Sequence, residues 1–451
     1  MIYNVSMKMQ HLLENEQAAA VLNNILPGLS RMAQSNPQAL SLSVEQLVRY
    51  SRVPQAEEIL ARLDGALQAL NTPENAISEG EAKQIAFFKT LISDESVQPH
   101  HQETIFPGQP WLDTNGHRIQ AHGGAVIYED GTYYWYGENK EFTDGKNGVW
   151  TWGIKVYASQ DLCNWEDKGF LIPPVIDDPN SALYPAKRVD RPHILRCPAT
   201  GKYVCWIKLS GPEAAFTIWQ ADSLLGQYTM VENLYNPGGY KIGDFDMVCD
   251  AETGKGYIYF DANHEAMVCM ELTSDFCHGS TEVSRSYPNL NPPFTREAPA
   301  LFEAGGKKYM LTSGMTGYVP NRSDSAASDS WEGVFSSLGD PHVNDASCAS
   351  FNSQITKIFK VESTGQFIAM ADRWLPGTPV DARLADLFTR VIGSNYAPEK
   401  YQATMEEKKE MYAANQLETA ETRIADYVWL PISLEDGKPE IRWTGNWKPV
   451  V

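Results

Sequence analysis

The segment AVIYEDGTYYWYGE, residues 125–138, consists of two short apolar runs separated by the turn dipeptide Asp130-Gly131. Apolar runs that flank such a turn predict a β-hairpin. The same unit recurs at HILRCPATGKYVCWIK (193–208), DMVCDAETGKGYIYFD (246–261), PALFEAGGKKYMLTSG (299–314) and ITKIFKVESTGQFIAMADRW (355–374). The copies begin about 50 to 70 residues apart, a spacing typical of the blades of a β-propeller. Five copies of a four-stranded unit therefore predict a mainly β chain folded as a five-bladed β-propeller.

The N-terminal part of the chain differs in composition from the rest. All 12 tryptophans lie at or after Trp111, whereas the preceding residues are rich in Ala, Leu, Gln and Glu. Ile59, Leu63, Leu67 and Leu70 have the spacing of one face of a helix. We therefore predict a small all-α domain at residues 1–98 and a propeller domain at residues 99–451.

Two N-terminal segments carry the signature of a helix start. Ser43 is followed three residues later by Gln46, and Ser78 by Glu81, which is the spacing of a capping box. The function of this helical domain is open between two interpretations: oligomerisation or docking to a partner, and simple stabilisation of the chain.

A second helical segment interrupts the last repeat. Residues 381–424 lack the alternating strand pattern and are rich in Ala, Leu, Glu and Lys. We predict a helical insertion that covers a face or an edge of the propeller and narrows its pocket. Together with the N-terminal helices, this insertion is a candidate contact for a homo-oligomer.

Composition excludes several classes of function. The 37 basic residues against 57 acidic ones leave a net charge of -20, which argues against nucleic acids and anionic membranes as partners. The sequence has no apolar stretch long enough for a membrane helix and no basic and apolar leader at its start, so we expect a cytoplasmic protein. The seven cysteines show no CxxC spacing, and we expect them to be reduced.

Polar residues stand at the start of each predicted inner strand. The inner strands of a propeller begin around the central axis, so these residues converge there from distant positions in the sequence. The five are His122, Asp190, Asp246, Glu297 and Gln354. Each alone would more often solvate a turn, but their shared register in five blades predicts a functional site.

Several of these positions lie in stretches that resemble glycoside hydrolase family 43, and within it the exo-β-1,3-galactanase-like branch. The stretches are TYYWYGE (132–138), RVDRPHIL (188–195), REAPALF (296–302), FNSQITKIF (351–359) and ADRW (371–374). The resemblance covers roughly residues 108–451, apart from the helical insertion. It implies a five-bladed propeller that hydrolyses O-glycosyl bonds with inversion.

The resemblance also implies roles for individual residues. Glu297 matches the general acid, which protonates the leaving oxygen. Asp190 matches a carboxylate that modulates the pKa of the acid and holds the sugar, although the branch usually has the longer Glu there. Most of the family uses an Asp of the first blade as the base, but this chain has AHGG at that place. Gln354 matches the residue thought to activate water in the galactanase branch, and Glu138 is the reserve candidate for the base.

Substrate binding is assigned to aromatic rings and to polar groups near the acid. Sugars stack their apolar faces on aromatic side chains. The candidates are Trp150, Trp152, Tyr318, His122, Asp246 and Arg373. For the aromatic candidates, packing between blades is an equally good interpretation. Phe245 and Tyr318 depart from the residues that the branch usually has.

We therefore predict an exo-acting, inverting enzyme that removes galactose from short β-galactosides such as β-1,3-linked galacto-oligosaccharides. The absence of a leader restricts it to small substrates. Two alternatives remain: an α-L-arabinofuranosidase or β-xylosidase of the same family, and a propeller that binds carbohydrate without catalysis. We expect no required cofactor. A structural calcium ion in the central channel is a further option, because some propellers of this family hold one.

Overall fold

In the computed structural model the described residues are 3–13, 15–35, 37–40, 42–51, 55–70, 78–93, 97–414 and 419–451. The chain forms two compact units. The first comprises Met1–Ser93 with Val175–Tyr184 and Gly211–Glu213. The second comprises Asp94–Pro174, Pro185–Ser210 and Ala214–Val451.

The first unit is helical, as the sequence predicts. Its helices are α1 (Met9–Leu13), α2 (Glu16–Ile25), α3 (Pro27–Ser35), α4 (Pro37–Leu40), α5 (Val44–Tyr50), α6 (Ala56–Gln68) and α7 (Glu79–Phe88). Both predicted capping boxes are present and begin α5 and α7. In the first box, Ser43 Oγ accepts from the Gln46 N–H at 3.1 Å, and Gln46 Oε1 accepts from the Ser43 N–H at 3.0 Å.

The buried stripe of α6 is slightly rotated from the predicted one. Leu60, Leu63 and Leu67 are buried in the helical core, whereas Ile59 and Leu70 pack at its edge. Residues three apart and residues four apart both lie on the same helix face. Spacing alone therefore does not define the centre of the buried face.

The second unit contains five β-sheets whose strands neighbour one another in sequence order, apart from one added strand. The first sheet holds β1 (His122–Glu129), β2 (Thr132–Glu138), β3 (Ile154–Ser159) and β4 (Glu166–Ile172). The second holds β5 (Val189–Arg196), β6 (Tyr203–Leu209), β7 (Ala215–Ala221) and β8 (Thr229–Tyr235). The third holds β9 (Ile242–Cys249), β10 (Gly256–Ala262), β11 (Ala266–Leu272) and β12 (Gly279–Ser286). The fourth holds β13 (Glu297–Ala304), β14 (Lys307–Ser313), β15 (Asp324–Ser328) and β16 (Ser336–Gly339).

The fifth sheet closes the ring. It holds β18 (Gln354–Lys360), β19 (Phe367–Arg373), β20 (Asp426–Glu435) and β21 (Lys438–Arg442), with β17 (His342–Val343) added in parallel to β21. The first strand of each sheet is an inner strand. β1 contacts β5, β5 contacts β9, β9 contacts β13, β13 contacts β18, and β18 returns to β1. The structure is therefore the predicted five-bladed propeller.

Aromatic rings pack the junction between the first and last blades. Trp135 of β2 lies edge to face with Trp165 at 5.3 Å, and its ring centre is 4.6 Å from that of Trp429 of β20. Trp111 packs against both Trp135 and Trp429. These large buried rings bring together chain segments that are about 300 residues apart, which stabilises the ring at its point of closure.

The predicted insertion is helical in its described residues. It contains α8 (Ala382–Tyr396), α9 (Met405–Ala414) and a short 3-10 helix at Thr422–Ile424, between β19 and β20. The apolar face of α8 presents Phe388 and Val391, which are buried in one cluster with Val319. The insertion thus packs directly against the residue that follows Tyr318, one of the predicted sugar-binding rings.

All seven cysteines are unpaired, and five of them are buried. Burial raises the pKa of the Cys163 thiol to about 12 and that of the Cys277 thiol to about 11, so these thiols are not reactive near neutral pH. Within the described residues, no helix is both long and apolar enough to cross a bilayer.

Candidate active site

The site lies where the inner strands begin, around the axis of the ring. Glu297 and Gln354 are the first residues of β13 and β18, Asp190 is the second residue of β5, and Glu138 ends β2. Because β2 runs antiparallel to β1, its end lies beside the start of β1, where Glu138 pairs with His122. Four predicted catalytic residues from four blades therefore face one end of the central channel.

A bulge follows the polar residue at the start of three inner strands. The register shifts between His122 and Ala125, between Asp190 and His193, and between Glu297 and Ala300. A bulge bends its strand and re-aims the neighbouring side chain.

In each of these bulges the residue after the site residue has a left-handed backbone. These residues are Gly123 (φ +63°), Arg191 (φ +47°) and Ala298 (φ +50°). For Arg191 and Ala298 this conformation costs about 1–3 kcal/mol, a strain that is typical of functional sites. The repeat pattern of the sequence does not reveal these bulges.

Glu297 has the environment of a proton donor. Burial raises the pKa of its carboxyl group to about 8, and the charges of Asp244 and Asp261 act in the same direction, against the opposing effects of Lys208 and Arg191. A carboxyl group with such a pKa keeps its proton at neutral pH. It can then transfer that proton to a leaving oxygen.

Asp190 was predicted to modulate the pKa of this acid. In the structure, the carboxylates that act most strongly on Glu297 are Asp244 and Asp261, whereas the charge of Asp190 contributes to the raised pKa of Glu138. Asp190 accepts a hydrogen bond from the Trp150 indole N–H at 2.7 Å and remains partly exposed. Its position suits a contact with a sugar hydroxyl.

Arg191 connects the predicted residues, although it is not one of the residues predicted from the sequence. Its Nε lies 2.9 Å from the Asp244 carboxylate, and its Nη2 donates to Gln354 Oε1 at 2.6 Å. Its backbone N–H donates to Glu138 Oε1 at 2.8 Å. Arg191 lies within the stretch RVDRPHIL, which resembles the family, and this was the sequence signal for its role. A buried arginine in a strand requires charged or polar partners.

Asp244 and Lys208 complete the charged cluster, and both were missed. Lys208 Nζ lies 2.6 Å from Asp244 Oδ1. Burial opposes ionisation of Asp244, but Arg191 and Lys208 lower the pKa of its carboxyl group to about 2. Asp244 is therefore a permanent anion beside Glu297. The sequence signal for Lys208 was a charged residue at the end of the apolar run YVCWIK.

Asp246 lies deeper than predicted. It is two residues further along β9 than Asp244, and it is fully buried. It accepts from the Leu301 N–H at 2.8 Å and the Met247 N–H at 2.7 Å, and it forms an ion pair with Lys357. These contacts join three blades inside the channel, beneath the site, and leave Asp244 in the position that was assigned to Asp246.

Glu138 is held by Lys140. Lys140 Nζ lies 2.7 Å from Glu138 Oε2 and 3.9 Å from Asp190 Oδ1, and it donates to Thr151 Oγ1 at 2.9 Å. Burial raises the pKa of Glu138 to about 7; Lys140 opposes this rise and Asp190 adds to it. Glu138 can therefore exchange a proton near neutral pH, although its side chain is almost fully enclosed.

Gln354 lies beside the acid. Its Nε2 donates to Glu297 Oε1 at 3.3 Å and to Ser313 Oγ at 2.9 Å, while its Oε1 accepts from Arg191. The amide thus reaches both Glu297 and the cluster around Arg191. Its direct contact with Glu297 was not evident from the sequence, since the two residues belong to different blades.

Two predicted aromatic residues face each other in the site. The rings of Trp150 and Tyr318 are stacked at 6.2 Å, and Tyr318 also lies 5.1 Å from Trp374. Arg188 lies over the Trp150 ring, 4.8 Å from its centre. Trp152 is nearly buried and packs edge to face on Phe142. Trp374 was missed, although it ends the quoted ADRW motif.

His122 and Arg373 use their polar groups inside the protein. His122 is fully buried; its Nδ1 lies 2.9 Å from Asp372 and its Nε2 lies 3.2 Å from the Tyr427 hydroxyl. Arg373 donates to the backbone carbonyls of Phe351 (2.8 Å) and Asn352 (3.2 Å). Both residues therefore support the walls of the site.

The channel carries its own positive charge. Lys357 Nζ contacts Asp246 and donates to the Met247 carbonyl at 3.0 Å. In the part of the chain that the structure describes, no group of three His, Cys, Asp or Glu side chains is arranged to hold a metal ion. The calcium ion that the resemblance implies as an option stays a prediction.

Comparison with known proteins identifies a related family. Residues 120–341 match the model of the glycosyl hydrolases family 43. No curated protein sequence matches the chain significantly. A solved family 43 β-1,3-galactosidase is 26% identical, with a TM-score of 0.61; the match covers 77% of this chain and 64% of that one. The chain therefore spans less than two thirds of that galactosidase.

Two solved exo-β-1,3-galactanases share the fold. The enzyme from Phanerochaete chrysosporium, bound to galactose, is 22% identical over 77% of this chain and 69% of its own, with a TM-score of 0.61. The enzyme from Clostridium thermocellum is 23% identical over 77% of this chain and 67% of its own, with a TM-score of 0.59. The five-bladed ring and the match of residues 120–341 to the family model make this chain similar to the glycosyl hydrolases of family 43.

Proposed function

We propose that the protein is an exo-acting, inverting glycoside hydrolase that removes galactose from short β-galactosides, with β-1,3-linked galacto-oligosaccharides as substrates. The observation that carries this proposal is the environment of Glu297, a partly buried carboxyl group at the axis of the propeller whose desolvation raises its pKa to about 8. The names of the similar solved structures, a β-1,3-galactosidase and exo-β-1,3-galactanases, support galactose as the sugar released.

The proposed reaction uses Glu297 as the acid. A water oxygen attacks the anomeric carbon while the bond from that carbon to the glycosidic oxygen breaks, and the Glu297 proton moves to the leaving oxygen. Asp244 stays ionised and keeps the proton on Glu297, because a second negative charge nearby disfavours ionisation of the acid.

Two groups are placed to orient the attacking water and to accept its proton. Gln354 offers an amide to orient it, and Glu138 offers a carboxylate with a pKa of about 7 to accept its proton. An amide is a poor base, so we assign orientation of the water to Gln354. Arg191 contacts both residues, Glu138 through its backbone N–H and Gln354 through its guanidinium group.

The −1 sugar would be held between aromatic and charged groups. Trp150 and Tyr318 present stacked rings, and Asp190 presents a partly exposed carboxylate fixed by the Trp150 indole. The α8 helix packs against Val319, next to Tyr318, and so limits the space on that side. A pocket closed on one side favours cleavage at a chain end.

Proton NMR of the protein incubated with β-1,3-galactotriose tests this proposal. We expect galactose to be released stepwise and to appear first as the α anomer, because inversion at a β-linkage produces α-galactose. Appearance of the β anomer first would contradict inversion, and release of internal fragments would contradict exo action.

Aryl glycosides separate the alternatives. Turnover of an aryl α-L-arabinofuranoside or β-xyloside, without turnover of β-galactosides, would replace galactose as the assigned sugar. Saturable binding of galactobiose without turnover of any of these substrates would show a carbohydrate-binding propeller instead of an enzyme. The Glu297→Gln variant is the matched control for background hydrolysis.

A further inference from the structure

His264 lies on the same face of the propeller as the candidate acid. It stands in the turn between β10 and β11 of the third blade, at residues 263–265. β10 runs antiparallel to β9, so this turn lies beside the start of β9, where Asp244 belongs to the charged cluster. His278, in the connection to β12, lies at the opposite end of the same blade.

The turn that carries His264 is held in a strained conformation. Asn263 (φ +56°) and His264 (φ +59°) are both left-handed, although neither is glycine. Such residues persist only where the surrounding structure holds them. Here the Asn263 N–H donates to the Lys241 carbonyl at 2.8 Å, and Thr295 Oγ1 donates to the His264 carbonyl at 2.9 Å. Thr295 is two residues before Glu297, so this bond ties the turn to the strand that begins at the acid.

Asp261 orients the imidazole. His264 Nδ1 lies 2.5 Å from Asp261 Oδ2, and Asp261 is fully buried while the His264 side chain is 60% exposed. Gly243 makes this possible, since a Cβ there would lie only 2.1 Å from Asp261 Oδ2. With Nδ1 directed at the carboxylate, the ring presents its Nε2 edge away from Asp261.

The charges around His264 are those of the candidate site. Burial opposes protonation of His264, but its bond to Asp261 and the charges of Asp261 and Glu297 raise the pKa of the imidazole, with Lys208 opposing. With Nδ1 paired to Asp261, Nε2 can bond a hydroxyl group, as a donor in the charged ring or as an acceptor in the neutral ring, in a position that is near Glu297 but exposed to solvent.

We propose that His264 binds the leaving-group sugar through a hydrogen bond between Nε2 and one of its hydroxyl groups. This inference rests on the proposed function, because it takes Glu297 as the acid. The glycosidic oxygen that receives the proton stays with the leaving sugar, so that sugar must lie next to Glu297 on the side open to solvent. His264 lies on the third-blade side of Glu297, whereas Gln354 contacts Glu297 from the fifth blade.

This hydrogen bond would make the enzyme prefer a saccharide over an aryl group as the leaving group. A second sugar offers hydroxyl oxygens to a fixed imidazole, whereas an aryl leaving group offers none. The pairing with Asp261 keeps the ring in place before substrate arrives, which reduces the ordering cost of the hydrogen bond.

The test compares two substrates, β-1,3-galactobiose and 4-nitrophenyl β-galactoside. We expect His264→Ala to lower kcat/KM for galactobiose by about tenfold or more, mainly through KM, and to leave the aryl galactoside within about twofold. His264→Gln, which keeps a donor, should recover part of the loss. His278→Ala is the matched control and should change neither substrate, since His278 lies at the other end of the blade.

Binding to the Glu297→Gln variant supplies a second readout. In that background, His264→Ala should weaken galactobiose binding in calorimetry and leave galactose binding unchanged. An equal loss on both substrates, or no loss on either, would overturn the role of His264 while leaving the proposed function intact. If the unaltered protein cleaved neither substrate, the proposed function would fail, and the role of His264 would fail with it.

Discussion

Gln354 Nε2 lies 3.3 Å from Glu297 Oε1, so the amide that we assign to the attacking water touches the candidate acid. The amide is fixed on its other side, because its Oε1 accepts from Arg191 at 2.6 Å. One hydrogen-bonded chain thus joins residues of three blades across the axis. A change at Gln354 is therefore expected to alter the protonation of Glu297 as well as the position of water.

Replacement of Gln354 by Glu should shift the pH profile. A second carboxylate beside Glu297 disfavours its ionisation, so the alkaline limb of kcat/KM should move to higher pH. The measurement is kcat/KM for β-1,3-galactobiose between pH 5 and 10. Ser313→Ala, which removes the other acceptor of the Gln354 amide, is the control and should not move the limb. Because kcat/KM reports the pKa values of the free enzyme, an unchanged limb in Gln354→Glu would show that the group titrating on this limb does not feel the charge at residue 354.

Replacement of Gln354 by Ala tests whether this residue orients the attacking water or only packs against its neighbours. We expect kcat to fall by about 10²-fold, because a positioned water is lost while Glu297 remains. Steady-state kinetics on galactobiose measures this loss. An alanine variant with unaltered kcat would exclude Gln354 from the reaction and leave Glu138 as the group that acts on water.

Glu297→Gln should abolish turnover and preserve binding. The amide has nearly the same shape but cannot donate a proton to the leaving oxygen, so kcat for galactobiose should fall by about 10³-fold. Calorimetry should show unchanged affinity. A 2,4-dinitrophenyl β-galactoside needs little protonation of its leaving group and should lose much less. Equal losses on the two substrates would contradict the role of Glu297 as acid.

The same substitution should stabilise the protein at alkaline pH. The pKa of Glu297 is about 8 in the folded protein against a reference value of 4.5, so the unfolded state loses its proton first as pH rises. The contribution of this carboxyl group to stability is therefore complete below about pH 4.5 and lost by about pH 8. Glu297→Gln should have a Tm near that of the unaltered protein at pH 4.5 and about 2 °C higher, or more, at pH 8.

Thermal unfolding of the Glu297→Gln variant and of the unaltered protein at pH 4.5 and pH 8 measures this difference in Tm. A Tm difference that is the same at pH 4.5 and pH 8 would show that Glu297 is ionised in the folded protein at neutral pH. Thr312→Ser, a nearby buried substitution without a titrating group, is a control for general effects of mutation in this blade.

Lys357 should be essential for stability through Asp246. Lys357→Met would leave a fully buried carboxylate without its ion-pair partner, which costs about 3–5 kcal/mol of unfolding free energy. The double variant Lys357→Met with Asp246→Asn should recover part of this loss. Urea unfolding measures both. A chelator should not change the Tm of the unaltered protein, because the charge in the channel comes from a lysine; a drop in Tm would indicate a bound cation.

Local pattern is sufficient for the architecture. The five hairpin units around turns such as Asp130-Gly131 predict five blades, because an apolar strand, a glycine turn and a second apolar strand carry their information within about 20 residues. The capping boxes at Ser43 and Ser78 were likewise correct, since both partners lie within one helical turn. Glu297 and Gln354 begin inner strands as expected, for the same reason.

Long-range contacts decided the rest. Asp246 fits the repeat pattern as well as Asp244 does, and only the pairing of β9 with β10 places Asp244 at the site and Asp246 beneath it. Arg191 acquires its role from partners in three other blades, which no local pattern encodes.

The sequence by itself therefore determined the number of blades, the helical segments and the acidic character of the axis, because these depend on periodicity and on residue type. The tertiary structure alone decided which carboxylates lie close enough to shift one another's pKa and which are buried in the protein. The raised pKa of Glu297 illustrates the difference. It depends on burial and on Asp244 and Asp261 across space, and charge interactions depend on distances that exist only when the ring is closed.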